Sequence, residues 1–192
     1  MKPYAFTLCC LPTLLAAGSL AGNAGATTPA VALAAAPAPV PANGPLETSL
    51  LSAATKGDVP ALADLLARGA RIDAVDPADG QTALLKAIGN GDIAATRLLI
   101  ERGANLEVVN AIGYTPLQFA AGLEYTALAK LLVDRGANVN SRAGRLPALI
   151  HATRTSNLEL VDYILAKGAD PNQAASDGST ALIWACGPGA GH

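Results

Sequence analysis

The stretch GYTPLQFAAG, residues 113–122, has the marks of a helix that starts abruptly and packs closely. Thr115 precedes Pro116. A threonine hydroxyl accepts a backbone N–H that a helix start leaves without a partner, and proline in the first helical position loses no hydrogen bond. Leu117 follows as an apolar anchor, and Ala120, three residues on, leaves room for a neighbouring helix to approach.

Working outward from Leu117, the same chemistry recurs. A Leu is followed 19 residues later by a Gly-Ala pair four times: Leu50 to Gly69, Leu84 to Gly103, Leu117 to Gly136 and Leu149 to Gly168. Thr48, Thr82, Thr115 and Thr180 stand two positions before the Leu register, and Ala53, Ala87, Ala120, Ala152 and Ala185 three positions after it. The spacing predicts a first helix from each Thr and a second from the apolar runs at 62–66, 96–100, 128–133 and 161–165. The second helix stops at a Gly in the left-handed C′ conformation, and a polar segment rich in Asn, Asp and Gly then turns outward. Fixed-period self-similarity of this kind defines a repeat solenoid, here all-α.

In its Thr-Pro-Leu start, its Ala positions and its unit spacings of 34, 33, 32 and 33, the pattern resembles the ankyrin repeat, and the resemblance spans residues 46–192. It implies four complete helix-turn-helix-hairpin repeats, starting near 46, 80, 113 and 145, and a half repeat from 178. Three features depart from the pattern. Gln118 replaces the signature His, and in no repeat is there a His to make the loop hydrogen bond the resemblance implies. Pro147 stands where the fourth repeat should have Thr, and Glu124 and Ser156 occupy the turn between helices where Gly is usual. In the fifth unit Leu182 is in register, but its Gly-Ala stop would fall near residue 201, so Leu182, Ile183 and Trp184 are expected to lack a cover. A truncated or decayed gene product is one reading of that end.

Ahead of the repeats lie two segments of different character. Lys2 is followed by an apolar run over residues 5–17, interrupted by Pro12 and ending at Gly18. That is shorter than the roughly 20 residues of a spanning helix. Ala24-Gly25-Ala26 is a small-x-small cleavage site, so residues 1–26 read as a secretory signal peptide. Leu20-Ala21-Gly22 lacks the Cys of a lipoprotein box, because Asn23 follows it. Residues 27–45, Ala and Pro in near alternation, read as a disordered linker. The expected location is periplasmic or secreted, with no membrane insertion after cleavage. Cys9 and Cys10 leave with the signal and Cys186 alone remains, so no internal disulfide forms; its small-residue position predicts burial.

The composition, 51% hydrophobic and 15% charged with a net charge of −2, gives no basic patch for nucleic acid. Only 4% of residues are aromatic, so the core must be aliphatic, which suits close helix packing. Catalysis finds no constellation: His151 is a lone His inside a predicted helix, and His192 is the last residue. Asp73, Asp76 and Asp79 stand three apart, but the Glu and the spacing of a calcium loop are missing. No cofactor or metal site is expected, and the chain reads as a non-enzyme.

What the architecture offers is a surface. Stacked repeats line an extended concave face, and ankyrin proteins generally bind other proteins there. The resemblance puts the contact at hairpin tips and first-helix ends. The residues in register are Asp76, Asp79 and Gln81; Val109, Ile112, Tyr114 and Leu123; and Ser141, Leu146, Arg154 and Thr155. The third unit is the apolar centre, with Tyr114 as its expected hot spot. The expected role is binding one protein partner in the periplasm, protecting an exported enzyme or acting in oxidative-stress defence, or alternatively, as an immunity or inhibitor protein, neutralising an exported toxin or hydrolase.

Overall fold

The computed structural model describes residues 43–144 and 146–187. The expected signal segment 1–26, linker residues 27–42 and the Gly-rich end 188–192 lie outside the described residues, as does Arg145.

Among the described residues the chain forms nine helices, with an isolated bridge between Val75 and Thr82. They pair as α1 (Pro45–Lys56) with α2 (Val59–Ala67), α3 (Ala83–Gly89) with α4 (Ile93–Glu101), α5 (Pro116–Gly122) with α6 (Thr126–Asp134) and α7 (Ala148–Arg154) with α8 (Leu158–Ala166); α9 (Ala181–Cys186) follows. The first helices α1, α3, α5, α7 and α9 pack each on the next, and α2, α4, α6 and α8 form a second row. The result is the all-α repeat solenoid the spacing predicts.

The register residues build the core. Leu50, Leu84, Leu117 and Leu149 are 0%, 1%, 2% and 4% exposed, and Ala87, Ala120 and Ala152 beside them are fully buried. Leu62, Leu99, Leu128, Leu132, Leu160 and Ile164 come from the second row to meet them. Each such Leu stabilises the stack by about 1.5–3 kcal/mol through burial. Gly69, Gly103, Gly136 and Gly168 all have φ near +90°, and an added Cβ would meet nothing within 4 Å, so what they supply is conformation.

The caps follow the sequence at Thr82 and Thr115, whereas Thr180 stands at the N-cap of α9 without a side-chain cap hydrogen bond. Thr82 Oγ1 accepts Leu85 N–H at 3.4 Å; Thr115 Oγ1 accepts Gln118 N–H, and Gln118 Oε1 accepts Thr115 N–H in return, a capping box. Thr48 is different. α1 begins three residues earlier with Pro45 in its first turn, so Thr48 lies inside the helix and its hydroxyl donates to Gly44 C=O at 3.1 Å. Asn43 is held as well, donating from Nδ2 to Val75 C=O at 2.7 Å. Asn43, Gly44 and Pro45 therefore belong to the repeat stack, not to the linker. Pro147 caps α7 without a side-chain hydrogen bond.

Short polar bridges tie each unit to the next. Asp73 Oδ1 accepts Asn105 N–H, Glu107 Oε1 accepts Asn138 N–H and Asn140 Oδ1 accepts Asp170 N–H, all at 2.8–3.0 Å. On the second row, Asp134 takes both Lys167 Nζ at 2.8 Å and the Tyr163 hydroxyl, while Lys130 pairs with Glu159.

The last helix meets one expectation and corrects another. Leu182, in register with the buried leucines, is 71% exposed; Ile183 is 57% and Trp184 37% exposed. Cys186, expected in a buried small-residue position, is an exposed free thiol. Both have one cause: α9 packs on α7, and among the described residues no second-row helix closes over it.

Candidate protein-binding face

The first helices and the hairpins before them share one face, and its side chains follow a positional rule. Two residues after a register Leu stand Lys86 (after Leu84), Phe119 (after Leu117) and His151 (after Leu149). Phe119 lies over Gly89, where an added Cβ would come within 3.4 Å of its ring, and His151 lies over Gly122, at 3.3 Å from Nδ1. A bare glycine at the end of one helix thus makes room for the ring of the next unit. Thr55, Asp79, Gln81, Lys86, Asn90 and Phe119 line a groove of about 270 Å³ between the first three units.

At the α3 end the chemistry is ionic. Lys86 Nζ lies 2.7 Å from Asp79 Oδ2 and 3.0 Å from Asp76 Oδ2, with its side chain only 12% exposed. Burial alone would lower the pKa of this ammonium, but its hydrogen bonds to Asp79 and Asp76 outweigh that and raise it. Asp76 is held below the usual carboxylate range, first by Ala78 N–H and then by Lys86. One ammonium shared by two carboxylates leaves the cluster one negative charge in excess. Asp73, the third acid of the series, faces the other way to bond Asn105. Among the described residues no group of three His, Cys, Asp or Glu side chains is placed to hold a metal ion.

At the α5–α7 end the chemistry is apolar. Val109, Ile112 and Leu123 are 37%, 55% and 39% exposed. Tyr114 is half-buried, its ring edge-on to His151 with centroids 5.0 Å apart. His151 is 1% exposed, and burial, then the nearby Arg154 guanidinium, pushes its pKa down to about 4. Arg154 Nη2 lies 3.5 Å from His151 Nδ1. Gln118, standing in for the signature His, makes the loop contact itself, donating from Nε2 to Ser141 C=O at 3.4 Å.

The structure sorts the expected contact residues. Asp76, Asp79 and Gln81 gather around Lys86, while Val109, Ile112 and Leu123 offer apolar surface and Arg154 is exposed. Leu146 is half-buried. Thr155 is turned inward, its hydroxyl donating to His151 C=O. Ser141 is 7% exposed, its Oγ accepting Ala143 N–H and its carbonyl taken by Gln118, so it has no side chain to present. It occupies the hairpin-base position of Asp76 and Asn110, whose side chains also bend back to loop N–H groups. Lys86 and Phe119 line the groove of this face yet escaped residue-by-residue reading; their shared offset from the Leu register was the available signal.

Stacked helix pairs joined by hairpins, with an extended face in place of a closed pocket, define a solenoid repeat protein. Residues 50–143 match the family model for ankyrin repeats, in 3 copies, and the chain belongs to the ankyrin-repeat proteins. No curated protein matches the chain. Ankyrin repeats are generally protein–protein interaction modules and typically non-enzymatic.

Proposed function

We propose that this chain is a non-enzymatic module that docks on one protein partner through the first-helix and hairpin face. The observation that carries this reading is that three apolar side chains of the third unit, Val109 and Ile112 in its hairpin and Leu123 at the end of its first helix, are exposed. Exposed apolar patches rimmed by charge mark interaction sites, and here Asp76, Asp79 and Arg154 supply the rim. The apolar segment and small-x-small site of residues 1–26 support export, and with it a partner in the periplasm such as an exported enzyme that the module protects.

The test is capture from periplasmic extract with the wild type and with a variant in which Val109, Ile112 and Leu123 are all Ser. One protein retained by the wild type and lost by the folded variant is the expected result; equal retention by both defeats the reading. Mass spectrometry of the exported protein tests location, with a new N-terminus at or near Thr27 expected and a full-length chain in the membrane fraction contradicting it.

A further inference from the structure

The hairpin tips of units two, three and four differ in the charge they present. Gly80 of the second hairpin sits against Ala111 of the third, where an added Cβ would come within 2.9 Å of the Ala111 methyl. Gly144 of the fourth hairpin sits against the Gln118 carboxamide. Gly80 and Gly113 hold left-handed φ of 67° and 86° whereas Gly144 does not, so the fourth tip differs from the other two in backbone as well as in what it presents. The residue before the hairpin glycine is Asp79 in the second, with a side chain 39% exposed. In the third it is Ile112, 55% exposed. In the fourth it is Ala143, small enough to leave the adjacent exposed Arg142 dominant, and Arg142 pairs with no carboxylate among the described residues. The next hairpin's Asp177 is engaged by Ser179, through both N–H and hydroxyl.

From this order of acid, apolar and base, and resting on the protein-binding reading above, we infer that the partner presents an extended segment of complementary order. A Lys or Arg lies over Asp79, an apolar side chain over Ile112 and Val109, and an Asp or Glu over Arg142. Spacing follows from geometry. Packed helices are about 8–10 Å apart, and a chain in the polyproline-II form advances about 3.1 Å per residue with three residues per turn, so one unit corresponds to about three residues and every third side chain points to the same side. The recognised segment therefore places its base, apolar residue and acid at positions i, i+3 and i+6. Shared excess negative charge at Lys86–Asp76–Asp79 makes the acidic end selective, since a carboxylate there would meet an unneutralised like charge.

The test is selection from a displayed library of random heptapeptides on the exported chain, repeated with Arg142→Glu and with a Val109→Ser, Ile112→Ser variant. Arg142 is exposed, so its replacement leaves the stack intact. The wild type should enrich base, apolar and acid at three-residue intervals, and Arg142→Glu should enrich a base at both ends. A synthetic peptide of the wild-type order should bind Arg142→Glu about fivefold more weakly, as for one exposed ion pair. Selected peptides without that order, or with an order unchanged by Arg142→Glu, overturn the inference and leave the binding face standing. No enrichment over the Val109→Ser, Ile112→Ser variant overturns both.

Discussion

Acid should loosen the joint between the third and fourth units, and His151 is the reason. Its imidazole is buried between Gly122, the Tyr114 ring and Arg154, and Nε2 has no hydrogen-bond partner among the described residues. With Arg154 donating toward Nδ1, the neutral ring holds its proton on Nε2. Protonating Nδ1 would set a second cation against the guanidinium in a dry site, which is why the folded pKa falls from 6.5 to about 4. A pKa lowered in the fold means that the unfolded chain binds the proton more readily, so stability is complete above the unfolded value and is lost as the pH falls toward the folded one. From those two values the loss is about 2 kcal/mol between pH 7.5 and 5, reaching about 3 kcal/mol near pH 4. Glu47, Asp76, Asp134 and Asp177 are all lowered from ordinary values of 4.5 or 3.8, so their contribution stays intact at pH 5. Urea denaturation of the wild type and of His151→Phe at both pH values isolates the effect, because His192 is common to both chains and cancels. Phe119 already holds the equivalent position over Gly89, so a phenyl ring suits the site's geometry. The wild type should lose about 2 kcal/mol more than the variant. Equal losses would show that His151 is solvated or paired, and the reasoning would fail.

Three further perturbations probe the same stack. Glu124 and Ser156 hold φ of 63° and 54° in the turns where Gly57 and Gly91 hold 70°, so Glu124→Gly and Ser156→Gly should each stabilise by about 1 kcal/mol in chemical denaturation; destabilisation by either would mean that its side chain does something the backbone does not show. Gly144→Ala would place a Cβ in collision with the Gln118 carboxamide and disturb the capping box, costing about 1–2 kcal/mol, and in a Gln118→Ala background most of that cost should vanish. Tyr114→Ala should lower stability by about 1 kcal/mol through the lost edge contact with His151, in addition to any effect on binding; an unchanged melting temperature would return Tyr114 to the free surface.

What the sequence disclosed was whatever is enforced by period. The Leu-to-Gly offset stays at 19 because both helices and the turn between them are packed on every neighbour, while the next leg varies, 15 residues from Gly69 to Leu84 but 13 from Gly136 to Leu149, since a hairpin facing solvent tolerates an extra residue. Caps on the second helices were equally available and passed over: Asp58, Asp92 and Asn157 each accept a backbone N–H at a helix start. Thr48 misled because the proline that starts α1 stands five residues ahead of Leu50, where Pro116 stands one ahead of Leu117. The binding face was legible only in part. Exposure of Val109, Ile112 and Leu123 follows from hairpin and helix-end register, but the inward turn of Ser141 and the Lys86 pairing depend on loop hydrogen bonds that no period encodes. Cys186 was placed by a register whose meaning depends on a covering helix, and that dependence is tertiary.

The central claim is that the first-helix and hairpin face, not the second-helix row, meets the partner. Amide hydrogen exchange of the chain alone and bound to the protein captured from periplasmic extract measures this directly. Binding should slow exchange at residues 76–81, 109–115 and 141–146 and leave the outer faces of α4, α6 and α8 unchanged. Protection confined to those second-row helices, with the hairpins exchanging as in the free chain, would contradict the account.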